Sequence, residues 1–413
     1  MAQAPTKPRV ALVCDWLTAV GGAESVLLAL HQMYPDAPIY TSKYRPKKID
    51  WFDDADVRTG YLNLFPSCLR RFLGPLRQRF FSKLDLSDYD LVISVTGAEA
   101  KAVKTKPTPK TRTNNAKTEQ PEHRCVHLCY CHVPTQYYWG MYDDYIKNPG
   151  FGILNPLARL GLKLLVKPLR KKDYQAAQQP DQFITISSYA ADLIKKYYKR
   201  EATIINPPAN LEKFFSKATS VSHQVSTKQQ NFSTYNDNNS KKSQTKNKAN
   251  YITTSRQVNW KRLDLCVMAC IKTGDDLTLI GDGPEHQKLV RLASGADNIR
   301  FLPTMSQTEL GRHLAASDAF LFPSLEPFGL APIEAMAVGL PVIAYQAGGA
   351  LDYIEPGKNG LFFDQQTAAS MVKAMEEFKK TKWKKDVIKK SASCYDQSVF
   401  KKKMQEIINA KVR

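Results

Sequence analysis

Short apolar stretches alternate with helical patterns along this chain, and this alternation limits the fold more than any other feature. Helical patterns separate the apolar stretches, and one of them keeps Val26, Leu27 and Leu30 on one side. Apolar strands joined by helices are typical of parallel sheets covered on both faces. The sequence therefore predicts an α/β protein with doubly wound parallel sheets, and its predicted strands lie at 9–16, 37–41, 90–96, 126–132, 182–187, 202–206, 251–255, 276–283, 298–303, 319–324 and 341–346.

A series of alternating strands and helices occurs twice along the chain, which predicts two domains. A chain of 413 residues is also too long for one ordinary core. We place the first domain at 1–205 and the second at 206–385. Residues 101–123 and 216–250 interrupt the pattern, because they are polar and rich in Lys, Asn, Thr and Gln. Such segments bury too little apolar surface to offset ordering, so both are predicted to be disordered insertions.

The charge balance is strongly basic. The chain has 59 Lys and Arg residues against 39 Asp and Glu residues, a formal net charge of +20. This charge favours an anionic partner, which can be nucleic acid, an acidic lipid surface or a phosphate-bearing substrate.

No apolar run reaches the roughly 18 residues that span a bilayer. The first residues lack the features of a signal peptide, so a cytoplasmic protein is expected.

The stretch SLEPFGLAPIEAMAVGLPVIA, residues 324–344, places two acids around a glycine turn. Pro332 suits the first turn of a helix, so Glu334 is predicted to be helical and Glu326 to lie on the loop before it. The amides of about residues 329–331 then form an anion site at the start of the helix. Two flanking carboxylates suit the hydroxyls of a ligand whose phosphates occupy that site. The alternative is a surface loop acid and a favourable first-turn charge.

Two cations occur in TSRQVNWKRLDL, residues 254–265. Arg256 follows a predicted strand and Lys261 is predicted to open the next helix. Both then lie above the carboxyl edge of the sheet, where open α/β folds bind ligands. Two cations there neutralise a diphosphate leaving group, although a solvated charged face has the same pattern.

In the first domain, Gly21 and Gly22 are predicted to end the loop after the first strand and to start a helix. Glycines there allow a phosphate or sugar to approach the backbone. The third glycine of a dinucleotide fingerprint is missing, and a plain tight turn explains the pair equally well.

The segment CVHLCYCH suggests a metal site, but strand geometry argues against one. Cys125, His127, Cys129 and Cys131 alternate onto one side of the predicted strand, whereas His132 points the other way. We therefore predict no metal and interpret His132 as a group that faces a ligand cleft. The chain's eight cysteines, which lie mostly in apolar segments, are interpreted as reduced thiols.

Residues 154–172 form a basic amphipathic pattern. Arg159, Lys163 and Lys167 are spaced four apart, and leucines are predicted to occupy the other side of the helix. Such a helix either lies on an anionic membrane or forms the outer helix of a domain.

Taken together, these motifs resemble those of the retaining glycosyltransferases of family 4. The resemblance covers most of the chain and is most specific at 251–365. The first half contributes DWLTAVGGAE, YCHVPTQYYW and DQFITISSYAADLIKKYYKREATIINPP, and the second half contributes SR…WKRLDL, LTLIGDGPE, NIRFLP, LFPSLEPFGLAPIEAMAVGLPVIAYQAGGALDYI and GKNGLFF. The resemblance implies the GT-B fold, in which two Rossmann-like domains face each other across a cleft. It also implies that residues 386–413 form a helix that returns to the first domain.

The resemblance implies a role for each candidate residue. Glu326 and Glu334 correspond to the two acids of the E-x7-E motif, of which the first contacts the donor sugar and the second holds ribose hydroxyls. Arg256 and Lys261 correspond to the pair that binds the donor diphosphate. Sugar and phosphate are held by the amides around three consecutive residues, Phe328, Gly329 and Leu330.

In the first domain, Gly21 and Gly22 correspond to the glycine loop, and His132 corresponds to a histidine near the transferred sugar. The expected catalytic residues are thus Glu326, His132, Arg256 and Lys261. The expected reaction retains anomeric configuration and needs neither a metal nor a cofactor.

Within this family, the sequence most resembles bacterial mannosyltransferases of surface-glycan assembly. This more specific resemblance favours GDP-mannose as the donor over a UDP-sugar. The expected acceptor is a glycan or a polyprenyl-linked glycan, with peripheral contact to an anionic membrane and no nucleic acid partner. Two alternatives remain. One is a nucleotide-sugar epimerase or phosphorylase-like enzyme on the same fold. The other is a basic protein that binds nucleic acid or membrane without catalysis.

Overall fold

The computed structural model describes residues 8–66, 73–106, 124–147, 149, 152, 155–215 and 248–412. The chain divides into two compact units. The first comprises the chain up to Ala209 together with its end from Tyr395, and the second runs from Asn210 to Cys394. The predicted boundaries, after residues 205 and 385, lie a few residues earlier in the sequence.

The first unit contains a seven-stranded sheet in which every strand pair is parallel, in the order β3-β2-β1-β4-β5-β6-β7. Its central strands are buried along their whole length, which explains their uninterrupted apolar sequences. The strands are β1 Val10–Cys14, β2 Ile39–Thr41, β3 Val57–Thr59, β4 Leu91–Thr96, β5 Val126–Cys131, β6 Gln182–Thr185 and β7 Ala202–Ile204.

Helices connect these strands as a doubly wound sheet requires. Buried leucines and valines of α1 contact β1 and β4, and the last helix of the series is capped by the Ser187 side chain, which accepts from the Ala190 amide at 3.1 Å. The helices are α1 Gly22–Met33, α2 Gly74–Lys83, α3 Tyr142–Lys147, α4 Asn155–Ala177 and α5 Ser188–Tyr198.

The second unit contains a six-stranded parallel sheet in the order β10-β9-β8-β11-β12-β13. The strand order reverses between β8 and β11, which are direct neighbours. The strands are β8 Asn250–Thr254, β9 Asp276–Ile280, β10 Ile299–Leu302, β11 Ala319–Phe322, β12 Val342–Tyr345 and β13 Gly360–Phe363.

The helices of this unit cover both faces of its sheet. Leu265, Cys266 and Met371 belong to one buried apolar cluster with the strands. The helices are α6 Glu212–Phe215, α7 Leu263–Thr273, α8 His286–Leu292, α9 Gln307–Ala315, α10 Leu330–Ala337, α11 Ala368–Lys380 and α12 Lys385–Ala392.

The chain ends with α13, Gln397–Lys411, which lies in the first unit. Phe400, Met404 and Ile408 are buried on its inner side, and the helix contacts α1. The ring of Phe400 lies 5.8 Å from the ring of Tyr130 on β5. This helix corresponds to the returning segment expected at 386–413, whereas α12 belongs to the second unit.

The predicted α/β class with two doubly wound parallel sheets is confirmed. Two short edge strands, β3 and β13, had no counterpart among the predicted strands, because three or four residues at a sheet edge carry little periodicity.

The predicted disordered segment 101–123 is wrong at its start. Residues Ala100–Ala102 form a 3-10 turn, and Lys101 is buried with its ammonium 2.6 Å from the carboxylate of Asp173. A buried ion pair therefore orders a stretch whose composition is polar. The rest of that prediction, 107–123, lies outside the described residues. So does most of the predicted insertion 216–250, although its last residue, Asn250, begins β8.

Candidate active site

The strongest candidate site lies at the carboxyl ends of β8 and β11, where the strand order reverses. Open α/β sheets bind ligands at this position, because the loops that leave the two strands diverge there. The loop after β8 carries Lys261 and the loop after β11 carries Glu326. The Lys261 ammonium forms an ion pair with the Glu326 carboxylate, and the two side chains are only 14% and 15% exposed.

The local backbone of Lys261 differs from the prediction that this residue opens a helix. It ends a 3-10 turn, Asn259–Lys261, and α7 begins only at Leu263. Arg262 between them is left-handed, with a φ of 52°, and its guanidinium donates to both carboxylate oxygens of Asp264 at 3.1 Å. The Lys261 ammonium lies 4.5 Å from the ring centroid of Trp260. The turn therefore directs the ammonium towards Glu326 and not along the helix.

Both the side chain and the backbone of Glu326 are held in place. The Ser324 hydroxyl donates to carboxylate oxygen Oε1 at 2.7 Å. The Gly349 amide donates to the Glu326 carbonyl at 2.8 Å. Gly348, with a φ of 68°, passes so close that an added Cβ atom would lie 2.4 Å from the same carbonyl. This loop is thus packed against the backbone that follows β12.

Backbone groups of the residues that follow Glu326, and not their side chains, lie at the start of α10. Phe328 is 3% exposed, and its carbonyl accepts from the Tyr353 hydroxyl at 3.0 Å. Gly329 has a φ of 95°, and a Cβ atom there would lie 2.6 Å from the Phe322 ring. The helix begins at Leu330, and the first amides of a helix have no intrahelical acceptor. The amides of residues 329–331 therefore suit an anion.

Glu334 lies one turn further along α10, in a different environment. It is partly buried, and this burial raises the pKa of its carboxyl from 4.5 to about 7. A hydrogen bond from the side chain of Gln307, at the start of α9, partly opposes the increase. The structure thus pairs Glu326 with Lys261 and places Glu334 beside α9.

Arg256 leaves β8 with an exposed side chain, and its carbonyl accepts from the Val258 amide at 2.9 Å. The next residue, Gln257, is fully buried and was missed by the sequence analysis. Its side chain donates to the Gly281 carbonyl at 2.7 Å and accepts from His286 Nδ1 at 2.8 Å. This glutamine therefore joins the loop of Arg256 and Lys261 to the glycine loop after β9. Nothing in the sequence distinguishes it from an exposed polar residue.

In the first unit, Gly21 caps the start of α1, and Gly22 is its exposed first residue. The Gly21 carbonyl accepts from the amide and the hydroxyl of Ser25, both at 3.1 Å. An added Cβ atom at Gly21 would meet only the end of the Glu24 side chain, at 2.9 Å. The geometry allows close approach of a ligand to this turn, yet the fold itself does not require glycine at Gly21.

His132 follows β5 directly. Its amide donates to the Thr96 carbonyl at 2.8 Å, and its ring lies 5.5 Å from that of Tyr130. Burial lowers the pKa of the imidazole to about 4, so the ring is neutral near pH 7. Its buried Nε2 atom has no hydrogen-bond partner among the described residues. A neutral imidazole of this kind can donate to or accept from a ligand hydroxyl.

A buried network that the sequence analysis missed holds the loops around His132. The carboxylate of Asp173 on α4 accepts from the Thr135 hydroxyl at 2.9 Å, from the Trp139 indole at 2.7 Å and from the Tyr198 hydroxyl at 2.8 Å. Lys101 completes this set through its ion pair. Each partner is an ordinary residue in the sequence, and only the tertiary fold brings them together.

Within the described part of the chain, no group of three or more His, Cys, Asp or Glu side chains is placed to hold a metal ion. Cys125, Cys129 and Cys131 are buried free thiols in apolar clusters. The Nε2 atom of His127 and the Ser94 hydroxyl share a hydrogen bond of 2.9 Å. Burial lowers the pKa of the His127 imidazole to about 4.

Comparison with known proteins finds a family match within the second unit. Residues 236–394 match the family model of glycosyl transferases group 1. This segment contains Arg256, Lys261, Glu326 and Glu334.

Two curated relatives match parts of the chain. The sulfoquinovosyl transferase SQD2 of Arabidopsis thaliana is 34% identical over 120 residues, which are 28% of this chain and 23% of the relative. A GDP-mannose-dependent alpha-(1-6)-phosphatidylinositol monomannoside mannosyltransferase of Mycobacterium tuberculosis is 32% identical over 115 residues, which are 25% of this chain and 30% of the relative. The matched chain thus spans less than a third of the length of either relative.

The fold is similar to solved structures over nearly the whole chain. The crystal structure of Anabaena HepE in complex with UDP has a TM-score of 0.63 and 17% sequence identity, and the match covers 97% of this chain and 100% of that one. The two parallel-sheet units are therefore those of GT-B glycosyltransferase structures. No helix of the described residues is both long and apolar enough to cross a membrane.

Proposed function

We propose that this protein is a retaining glycosyltransferase of family 4 that moves a hexose from a nucleotide-diphosphate sugar to a glycan or polyprenyl-linked glycan. The ion pair between Lys261 and Glu326, at the reversal of strand order and close in sequence to the start of α10, is the observation that carries the proposal. A cation, an acid and helix-end amides are the groups needed to bind a diphosphate and to recognise the sugar attached to it.

Departure of the nucleotide diphosphate is the demanding step of this reaction. Negative charge grows on the leaving phosphate, and in this proposal Lys261, Arg256 and the amides of residues 329–331 stabilise it. These groups take the charge that a divalent cation carries in other phosphate chemistry, so the proposal assigns no metal and no cofactor. Gly329 matters here because its backbone angle turns the chain into α10 without a side chain in the way.

Glu326 is proposed to contact the donor sugar, and Glu334 the ribose hydroxyls. The held orientation of Glu326, through Ser324 and Gly349, supports a role that depends on position. His132 is proposed to contact the transferred sugar, and Gly21 and Gly22 to allow the donor to approach the backbone of α1. A neutral imidazole with an unsatisfied Nε2 supports the first of these roles.

GDP-mannose is the proposed donor. Support comes from the mannosyltransferase relative, whose name states dependence on GDP-mannose. A UDP-sugar is the second candidate donor, because the relatives differ in the sugar that they transfer. A lipid-linked acceptor would place the enzyme at the cytoplasmic face of a membrane, and no nucleic acid partner is proposed.

Thermal-shift measurements with GDP-, UDP- and ADP-sugars test the donor. A cognate donor at about 100 times its dissociation constant stabilises the folded protein by about 2.7 kcal/mol. We expect the largest shift with GDP-mannose. A larger shift with a UDP-sugar would replace the proposed donor, and no shift with any nucleotide sugar would contradict the proposed class.

Turnover then separates transfer from the alternatives. The transferase releases free nucleotide only when a glycan acceptor is present and glycosylates that acceptor, whereas an epimerase converts the nucleotide sugar without an acceptor. A non-catalytic basic protein shows salt-sensitive binding to nucleic acid or vesicles that survives Glu326→Gln and no turnover in either assay.

A further inference from the structure

Helix α4 exposes a row of leucines to solvent along its first half. Leu157, Leu160 and Leu164 are 68%, 54% and 68% exposed, and Leu165 beside them is 48% exposed. The spacing of the first three, at positions i, i+3 and i+7, places them on one face of the helix. We refer to Leu157, Leu160 and Leu164 as the leucine row. Outer helices normally turn such a row inwards.

The opposite face of α4 is the one that packs in the first unit. The five buried residues of the helix lie from Val166 to Ala177, and among them Asp173 anchors the helix to the Lys101 network. At the other end, Arg159 donates to the carbonyls of Ile146 and Lys147 at 2.9 and 2.8 Å. The helix is therefore fixed at both ends while the leucine row faces away from the core. Arg159 is used in this anchoring, so it does not belong to the exposed charge.

A row of lysines runs beside the leucine row. Lys163, Lys167 and Lys171 are spaced four apart and are all exposed, and Lys172 is exposed as well. Residues 155–172 contain no Asp or Glu. The two rows together run from Leu157 to Lys171, so at a rise of about 1.5 Å per residue they form a strip about 20 Å long. We refer to Lys163, Lys167 and Lys171 as the lysine row.

We propose that α4 is a membrane-docking surface, in which the leucine row enters the interface of an anionic lipid bilayer and the lysine row contacts its headgroups. An apolar strip bordered by cations is the arrangement of a helix that lies in the plane of a membrane interface. Leucines supply the apolar contact, and lysines select an anionic surface. The net charge of +20 favours the same surface.

The exposure of the leucines favours the membrane surface among the two interpretations that the sequence left open. In the outer helix of a domain, the leucines between the basic residues would be buried, but in this structure the leucine row is solvent-exposed. Charge complementarity distinguishes the lipid surface from a second copy of the chain, because two such strips would bring their lysine rows together. This proposal does not depend on the transferase reaction, since docking requires neither donor nor acceptor.

Co-sedimentation of the full chain with vesicles tests the proposal. Vesicles of phosphatidylcholine with phosphatidylglycerol supply the anionic surface, and vesicles of phosphatidylcholine alone supply the neutral one. The triple variant Leu157→Gln, Leu160→Gln and Leu164→Gln keeps good helix formers at exposed positions, so we expect it to fold normally. We expect its partition coefficient onto the anionic vesicles to fall roughly tenfold or more.

A second variant tests the charge. Lys163→Gln, Lys167→Gln and Lys171→Gln should lower partitioning onto the anionic vesicles by roughly tenfold or more and remove the preference over neutral ones. Exposed residues of the second unit give matched controls: Ile271→Gln, Leu292→Gln and Leu351→Gln for the leucines, and Lys382→Gln, Lys384→Gln and Lys390→Gln for the lysines. Both controls should bind vesicles as the unchanged protein does.

Two results would overturn the proposal. One is binding to anionic vesicles that is undiminished in the leucine variant, because the charge elsewhere on the chain would then account for it. The other is a dimer in sedimentation velocity that dissociates in the leucine variant, because a second copy would then cover the row. The docking test and the donor test fail independently, since the vesicle assay contains no nucleotide sugar.

Discussion

The ammonium of Lys261 is ion-paired with the carboxylate of Glu326, and both side chains are largely buried. The two residues come from loops that leave neighbouring strands, so the sheet itself sets their separation. In the proposed enzyme, the Lys261 ammonium pairs with the donor diphosphate instead of Glu326. The Glu326 carboxylate is then available to contact the sugar. The ion pair fixes the positions of both side chains and compensates their charges.

This relationship predicts different outcomes for the two members of the pair. Glu326→Gln should lower kcat by roughly 10²- to 10³-fold, the usual effect of removing one preorganised electrostatic group. Donor binding should persist or improve, because Lys261 then lacks a competing carboxylate. Lys261→Met should instead weaken donor binding as well as kcat. Steady-state kinetics together with calorimetric titration of donor distinguish the two patterns.

The exposed ion pair of Lys358 and Glu355, 2.7 Å apart on the same unit, is the matched control. Lys358→Met and Glu355→Gln should leave kcat and donor affinity unchanged, because the pair is solvent-exposed and lies outside the site. Equal donor affinity in Lys261→Met and the unchanged protein would contradict the assignment of Lys261 to the diphosphate.

Glu334 predicts a pH dependence of donor binding. Its pKa is raised to about 7, so the carboxyl is largely protonated at pH 6 and largely ionised at pH 8. The ionised form is the stronger acceptor for ribose hydroxyls. Donor affinity should therefore fall several-fold from pH 8 to pH 6, and Glu334→Gln should remove that part of the pH dependence. Calorimetric titration at three pH values measures it, and an equal slope in the variant would refute the role.

Ionisation of the Glu334 carboxyl, which should favour donor binding, should lower the stability of the folded protein. Its folded-state pKa lies above the unfolded value, so its contribution to the free energy of unfolding is complete below pH 4.5 and is lost as the pH rises through about 7. Relative to Glu334→Gln, the unchanged protein should lose stability across that window. Urea unfolding of the ligand-free protein at pH 5 and pH 8 measures the difference.

Glycine positions that differ only in their surroundings give a test of the Glu326 loop. Gly348 and Gly357 have similar left-handed φ angles of 68° and 78°. An added Cβ atom would strike the Glu326 carbonyl from Gly348, but would meet nothing within 4 Å from Gly357. Alanine should cost about 1 to 2 kcal/mol of backbone strain at either position. Only Gly348→Ala should also lower kcat/KM, by roughly tenfold to 100-fold, because it displaces Glu326.

Comparable losses of kcat/KM in the two alanine variants would show that strain, and not the position of Glu326, limits the reaction. Thermal unfolding of both proteins provides the necessary comparison: both should lose stability through backbone strain, and Gly348→Ala should lose more because its Cβ atom also meets the Glu326 carbonyl.

Much of the second unit follows from its sequence. The positions of β8 to β12, the start of α10 and the proximity of the loops that carry Lys261 and Glu326 follow from apolar periodicity and from the rule that neighbouring parallel strands end at one edge. The turn before α7 does not, because the left-handed Arg262 is held by a local contact with Asp264 that no periodic pattern reveals. Gln257 was likewise unpredictable, since its two partners, Gly281 and His286, lie more than 20 residues later in the chain.

The first unit shows the limit of composition as a guide. Lys101 stands at the head of a polar stretch, and a composition window averages it with the residues that follow. Its position is decided by Asp173, far along the chain, so only the folded structure shows that it is buried. The leucine row of α4 shows the reverse case. Its amphipathic pattern was visible in the sequence, but the face that points outwards was not.

The Lys101 network predicts a large stability cost when its carboxylate is removed. Lys101 is fully buried, and the carboxylate of Asp173 favours its charged form, so its pKa lies well above the usual value even though burial opposes this. Asp173→Leu would leave that charge uncompensated and remove the acceptor of Thr135, Trp139 and Tyr198. We expect a loss of about 3 to 5 kcal/mol in the free energy of unfolding, measured by urea denaturation.

Lys101→Met should cost less, because Asp173 keeps its three neutral donors. Glu201→Gln, which breaks an exposed pair with Lys195, should cost under about 1 kcal/mol, and a loss as small as that in Asp173→Leu would show that the network is not needed for folding.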